Sequence, residues 1–226
     1  SELASDTSSI VQQMKELHNL VKSAFTQAMK AFEDLDRELA EEAGTLSDQV
    51  ENLYHQIEDM VFDTVSKCQP TQPDLRKLIT YANTSSCLQK VGRYAGKIAN
   101  IVDYCEDMDH FKELESLPYL ADLANSAIDA SVRAVIDEDL SEIDELEKLE
   151  AQSDREAAEM FHEIADYLNR RRDISELAMY YIIVGRYCER AADQAINIAE
   201  EASFMITGSR IKLGLAYKGE SASLLD

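Results

Sequence analysis

From Ile174 to Ile206 the chain sets small and apolar residues in steps of four and three, a pattern that a long helix accommodates and a strand does not. The seam runs Tyr181, Gly185, Cys188, Ala192, Ala195, Ala199 and Ala202, the heptad spacing of a helix packed against others. Tyr180 to Val184 has β-propensity, but the unbroken seam around it is too long for a strand. The segment is apolar over more than one stripe, which suits a central helix of a bundle. Three prolines and seven glycines in 226 residues leave few helix breakers, so the expected fold class is all-α.

The rest of the chain repeats the theme. A first helix, expected to start after a capping stretch at Asp6 to Ser9, carries Ile10, Met14, Leu17, Val21, Ala24, Ala28, Ala31 and Leu35 on one seam. A polar cluster at Glu33 to Asp36 marks a turn. The second helix carries Leu39, Ala43, Leu46, Val50, Leu53, Ile57 and Met60, and must end before Gln69-Pro70. Pro73 suits the first turn of a third helix running to Tyr104. A polar break, Glu106 to Ser116, ends at Pro118. Helices are then expected from Tyr119 to Ile136, from Asp139 to Asn169 and from near Asp173. Arg170, Arg171 and Arg172 fall where cations favour the carbonyl pole of the fifth helix, so capping explains them.

The order is three helices, a break, then three more. Sliding the third helix by 100 positions sets Tyr81, Ala95, Ile98 and Ala99 on Tyr181, Ala195, Ile198 and Ala199, and Lys90 on Arg190. Together with the matching helix order, this indicates an internal duplication. The expected architecture is two tandem three-helix bundles, residues 1–110 and residues 117–208, and a flexible C-terminal tail, 209–226, which follows Gly208 and in which Gly214 and Gly219 favour fraying. Helices of about 30 residues would be about 45 Å long.

Forty-four acidic residues against 22 basic ones leave a net charge of −22. Nucleic-acid binding needs clustered cations, and an anionic lipid surface would repel this chain, so neither is expected as a partner. No stretch approaches about 18 apolar residues, and the N-terminus lacks a basic-then-apolar leader. The expectation is a cytoplasmic protein without direct membrane insertion. Cys68, Cys87, Cys105 and Cys188 are widely spaced without a Cys-x-x-Cys pair, and read as free thiols of a reducing compartment.

Beside the seam of the sixth helix stand Glu189, Asp193, Asn197 and Glu200, with Arg186 and Arg190 alongside. Carboxylates one turn apart can hold cations if a second helix brings more oxygens. From spacing alone, a solvated face laced with Arg–carboxylate pairs is the stronger reading. The fifth helix offers Glu150 and Asp154 at the same spacing, with Glu147 one turn earlier; which of them face the sixth helix is left open by the spacing. In the first repeat the matching positions are Gln89, Arg93 and Lys97, and the second helix offers Ser47, Asp48, Glu51 and Asn52 in uncertain register.

These motifs resemble those of the PhoU family. Cys188-Glu189-Arg190-Ala191-Ala192-Asp193 followed by Asn197-Ile198-Ala199-Glu200 is similar to the Leu-Glu-Arg-x-x-Asp and Asn-Ile-Ala signature of that family's third helices. Gln69-Pro70 with Asp74-Leu75-Arg76, and Thr207-Gly208, also match. The resemblance implies a non-enzymatic adaptor, commonly a dimer, that couples a phosphate ABC transporter ATPase to a sensor histidine kinase and restrains the phosphate-starvation response. It also implies metal sites, with iron or zinc foremost, built on paired carboxylates: here Glu189 and Asp193, with Glu150, Asp154, Asn197 and Glu147 as further candidates. A guanidinium and an ammonium on the first-repeat face oppose a cation, so at most one metal site is expected, in the second repeat. Regulation of another ion transporter, sodium–phosphate or potassium, is an alternative within the family.

A ferritin-like di-iron protein is a further alternative, but it needs Glu-x-x-His on two helices and only Glu159 to His162 is present. A coiled-coil scaffold would explain the heptads but neither the loop motif nor the repeat. Gly-rich phosphate loops, Gly-x-Ser-x-Gly and His-Glu-x-x-His are absent, so no enzymatic activity is expected.

Overall fold

A computed structural model describes residues 1–218. It contains six α-helices: α1 (Glu2–Asp34), α2 (Arg37–Cys68), α3 (Asp74–Tyr104), α4 (Ser116–Ile136), α5 (Ile143–Arg170) and α6 (Ser175–Thr207). Helices α1, α2 and α3 pack on one another, and α4, α5 and α6 do the same. The α1 seam from Ile10 to Ala31 is buried, as are Tyr181, Cys188, Ala192, Ala195, Ala199 and Ala202 on α6. The positions paired by the 100-residue shift, Tyr81 with Tyr181 and Ile98 with Ile198, are buried in both copies.

The two bundles meet along α3 and α6, with α1 against α4 beside them. The paired helices are antiparallel. Along α3, Asn83 donates to Glu201 (3.1 Å), Tyr94 stacks on Tyr187 (5.7 Å) and Tyr104 stacks on Tyr180 (6.3 Å). On the other pair, His18 meets Asp129 (2.8 Å) and Asn125 donates to Thr26 (3.3 Å). Ascending numbers on one helix meet descending numbers on the other, as a pseudo-two-fold relation between repeats requires. Because α3 and α6 each touch both bundles, they bury residues on more than one face.

The connection between the bundles is pinned by His110. Its Nε2 lies 2.8 Å from the Glu33 carbonyl, which can only accept, so Nε2 carries the proton. Nδ1 therefore accepts from the buried Tyr181 hydroxyl. Phe111 stacks on the same ring at 4.8 Å.

Several boundaries differ from the sequence expectation, each for a local reason. α1 begins at Glu2 and runs through Asp6 to Ser9, held by Lys67 of α2 to Glu2 (2.5 Å) and Asp6 (3.7 Å). α4 begins at Ser116, with Pro118 inside its first turn, where the missing N–H costs nothing. α5 begins at Ile143, four residues after Asp139. Glu138 adopts φ +52° and the Asp139 carboxylate takes the Ser141 N–H (2.9 Å), making a turn of the stretch where the helix was expected to start. Arg170 donates to the Asp166 carbonyl (3.3 Å), the C-terminal capping read from the arginine run, while Arg171 pairs with Asp173 (2.6 Å).

The Asp74-Leu75-Arg76 motif has a structural use. Arg76 Nε reaches the Met205 carbonyl (3.2 Å) and its guanidinium lies over Phe204, tying the first turn of α3 to the end of α6. Gly208 closes α6 at φ +75°, and a Cβ there would sit 3.2 Å from the Arg76 guanidinium.

Candidate functional site

Helix α5 buries Leu146, Glu150, Ser153, Ala157, Met160 and Ile164 in steps of four and three. A carboxylate and a hydroxyl thus occupy positions that the heptad reserves for apolar side chains. Glu150 is 1 % exposed, and its Oε2 has no hydrogen-bond partner; Ser153 Oγ has none either. Facing them on α6, Glu189 is 3 % exposed and its Oε1 makes no hydrogen bond, its ion pair with the Arg186 guanidinium spanning 3.6 Å. Unpaired buried carboxylates are costly unless a cation or a proton neutralises them.

One oxygen from each of Glu150, Asp154 and Asp193 lies within 4.8 Å of the others. These three and Glu189 line an open cavity of about 640 Å³ between α5 and α6. Burial pushes the Glu150 carboxyl up to about 8, the Asp154 charge adds to the rise, and Lys218 opposes it. Burial likewise lifts Glu189 to about 7. Asp193 stands at the rim with an exposed surface, yet the protein around its carboxyl and the Asp154 charge raise its pKa as well. The structure therefore gathers hard oxygen donors whose buried members are short of positive charge. An all-carboxylate donor set of this kind suits a hard, oxygen-seeking cation.

The other expected ligands have other partners. Glu147 accepts the Gly214 N–H (3.1 Å), and Asn197 is exposed and donates to Gln194 (3.4 Å). In the first repeat Gln89 donates to Glu51, and Arg93 reaches the same carboxylate (3.5 Å). These contacts, the Gln89 hydrogen bond foremost, hold Glu51 below its usual pKa. Lys97 lies over the Tyr187 ring (5.9 Å). Amide and guanidinium thus satisfy there the carboxylate that the second repeat leaves short of charge. Among the described residues, Glu150, Asp154 and Asp193 form the one such gathering of potential ligands. Glu159 and His162 are both exposed, so the lone Glu-x-x-His builds no buried di-iron centre.

The segment expected to fray, described as far as Lys218, lies over this cavity. Lys218 Nζ sits 3.0 Å from Glu150 and 3.1 Å from Asp154. Gly219, like the rest of the expected tail, lies outside the described residues. No carboxylate spacing could reveal Lys218 as part of the site; the signal available was Glu150 itself, an acid on a core seam.

Comparison with known proteins agrees with this architecture. The PhoU domain matches twice, over residues 14–102 and 117–202. The chain belongs to the PhoU family. The phosphate-specific transport system accessory protein PhoU homolog 1 of Thermotoga maritima is 25 % identical over 197 residues, covering 85 % of this chain and 84 % of that protein. The PhoU homolog of Pseudomonas aeruginosa is 24 % identical over 207 residues, with 89 % and 84 % covered. The crystal structure of PhoU from Pseudomonas aeruginosa superposes with a TM-score of 0.86 at 20 % identity, over 91 % of this chain and 99 % of the other. PhoU from Streptococcus pneumoniae gives 0.83 at 21 % identity, over 93 % and 100 %. Both share the tandem-bundle fold. No helix among the described residues is long and apolar enough to cross a membrane.

Proposed function

We propose that this protein is a non-enzymatic accessory regulator of phosphate transport, working through its helical faces. The observation that carries the reading is the double PhoU domain match along the chain, joined by relatives of similar length that are named as phosphate-specific transport accessory proteins. In this reading it docks, as a dimer, on the transporter ATPase and restrains a sensor histidine kinase while phosphate is plentiful. The cavity between α5 and α6 holds one divalent or ferric cation through Glu150, Asp154 and Asp193, with Glu189 beside them. The first repeat holds none, since Gln89 and Arg93 already occupy Glu51. That asymmetry favours a divergent branch of the family, and a client other than the phosphate transporter is the second reading.

The test is made in the native host. Deleting the gene should switch on a phosphate-starvation reporter in high phosphate, and the wild-type chain should silence it. A reporter that ignores the deletion, with potassium or sodium–phosphate uptake altered instead, would select the second reading. Elemental analysis of the purified protein should find metal that is largely lost in Glu189→Ala/Asp193→Ala. Equal metal content in both proteins would remove the cation from the site.

A further inference from the structure

The segment from Ile211 to Lys218 crosses the mouth of the acidic cavity, and its polar anchors are carboxylates. The Leu213 N–H donates to Glu200 (3.3 Å) and the Gly214 N–H to Glu147 (3.1 Å). Tyr217 donates its hydroxyl to Asp144. Lys218 bridges Glu150 and Asp154 at 3.0 and 3.1 Å. Gly214 makes the crossing possible. It adopts φ +87°, and a Cβ there would lie 3.5 Å from Ile196 and 3.9 Å from Glu150 Oε2. The ammonium therefore rests on two of the three carboxylates that converge, while Glu150 Oε2 stays buried without a hydrogen bond and Glu189 Oε1 has only the Arg186 guanidinium at 3.6 Å.

We propose that Lys218 is a tethered counter-ion of this site, and that a divalent cation entering it displaces the ammonium and releases the strap. The inference rests on the cation reading above. Two positive groups cannot share the Glu150 and Asp154 oxygens at contact distance without strong repulsion. The tether from Gly208 keeps the ammonium at high local concentration, so it competes even with a cation that binds well. Release frees the partly buried Leu213 and unpins Tyr217 and the Lys218 ammonium, so cation occupancy would be reported as a new surface beside α5 and α6. In the first repeat Arg93 neutralises Glu51 of α2 from the middle of helix α3, where nothing can be released; in the second the neutralising group sits on a segment outside the helices.

The experiment uses the full chain and zinc chloride, a cation without redox chemistry. The protein contains no tryptophan, so Leu215→Trp, at a site 62 % exposed, supplies a single tryptophan, excited selectively over the tyrosines, as reporter of the strap. Zinc should lower its fluorescence anisotropy. Calorimetric titration should give at least tenfold tighter zinc binding in Lys218→Met than in wild type, with Lys218→Arg close to wild type. Equal affinities in wild type and Lys218→Met, or an anisotropy that saturating zinc leaves unchanged, overturn the strap while leaving the cation site standing. Zinc bound by neither protein overturns both.

Discussion

Glu150 and Glu189 show what a carboxylate costs on a packed helix face. Both carboxyls titrate above their ordinary value, at about 8 and about 7, chiefly because burial disfavours the charged form. The sign for stability follows. Between pH 4.5 and about 7 the unfolded chain has released the Glu189 proton while the folded chain still holds it, so stability falls as pH rises through that window. In EDTA, Glu189→Gln should flatten this fall, narrowing the loss between pH 5 and pH 8 by about 1–3 kcal/mol in denaturant titrations. An unchanged slope would mean that Glu189 ionises in the folded chain as freely as in water. At this scale the sequence was only half legible. Glu189 and Asp193 could be picked out by their spacing and the motif, and Glu150 by its place on the α5 seam, but nothing local separated Asp154, which converges on them, from Glu147, which accepts the Gly214 N–H.

At the scale of the element, two glycines test how closely the helices approach. A Cβ on Gly92 of α3 would lie 2.5 Å from Val50 Cγ1, a buried side chain of α2. Valine is stiff at χ1 and cannot step aside cheaply. Gly92→Ala should therefore cost about 1–3 kcal/mol from overpacking, despite the helix-propensity gain of about 1 kcal/mol. A Cβ on Gly185 of α6 would lie 2.3 Å from the terminal methyl of Met160, the mobile end of a flexible side chain. Gly185→Ala should stay within about 1 kcal/mol of wild type, and thermal melts of the two variants side by side decide the matter. Helix existence and seams were legible because the heptad is a local periodic signal. Helix ends were less so, since the α5 start depends on the turn at Glu138 and Asp139 and the α1 start on ion pairs from Lys67.

For the whole molecule, the antiparallel α3–α6 and α1–α4 contacts join two similar bundles, with His110 fastening the connection to α1 and α6 at once. Calorimetry should accordingly show one unfolding transition, with calorimetric and van't Hoff enthalpies in agreement. Two resolved transitions would mean that the bundles are stable apart. The sequence by itself determined the helical class, the three-plus-three order and the duplicated third helix. Each of those is written in periodicity, in breaker placement and in residues that recur 100 positions apart. Tertiary structure alone decided which carboxylates meet, that Glu51 is neutralised by Gln89 and Arg93, and that Lys218 reaches back across the chain to Glu150 and Asp154. The reason is physical: a heptad states which face of a helix is buried, whereas the rotation and offset of one helix against the next depend on packing summed along their whole length.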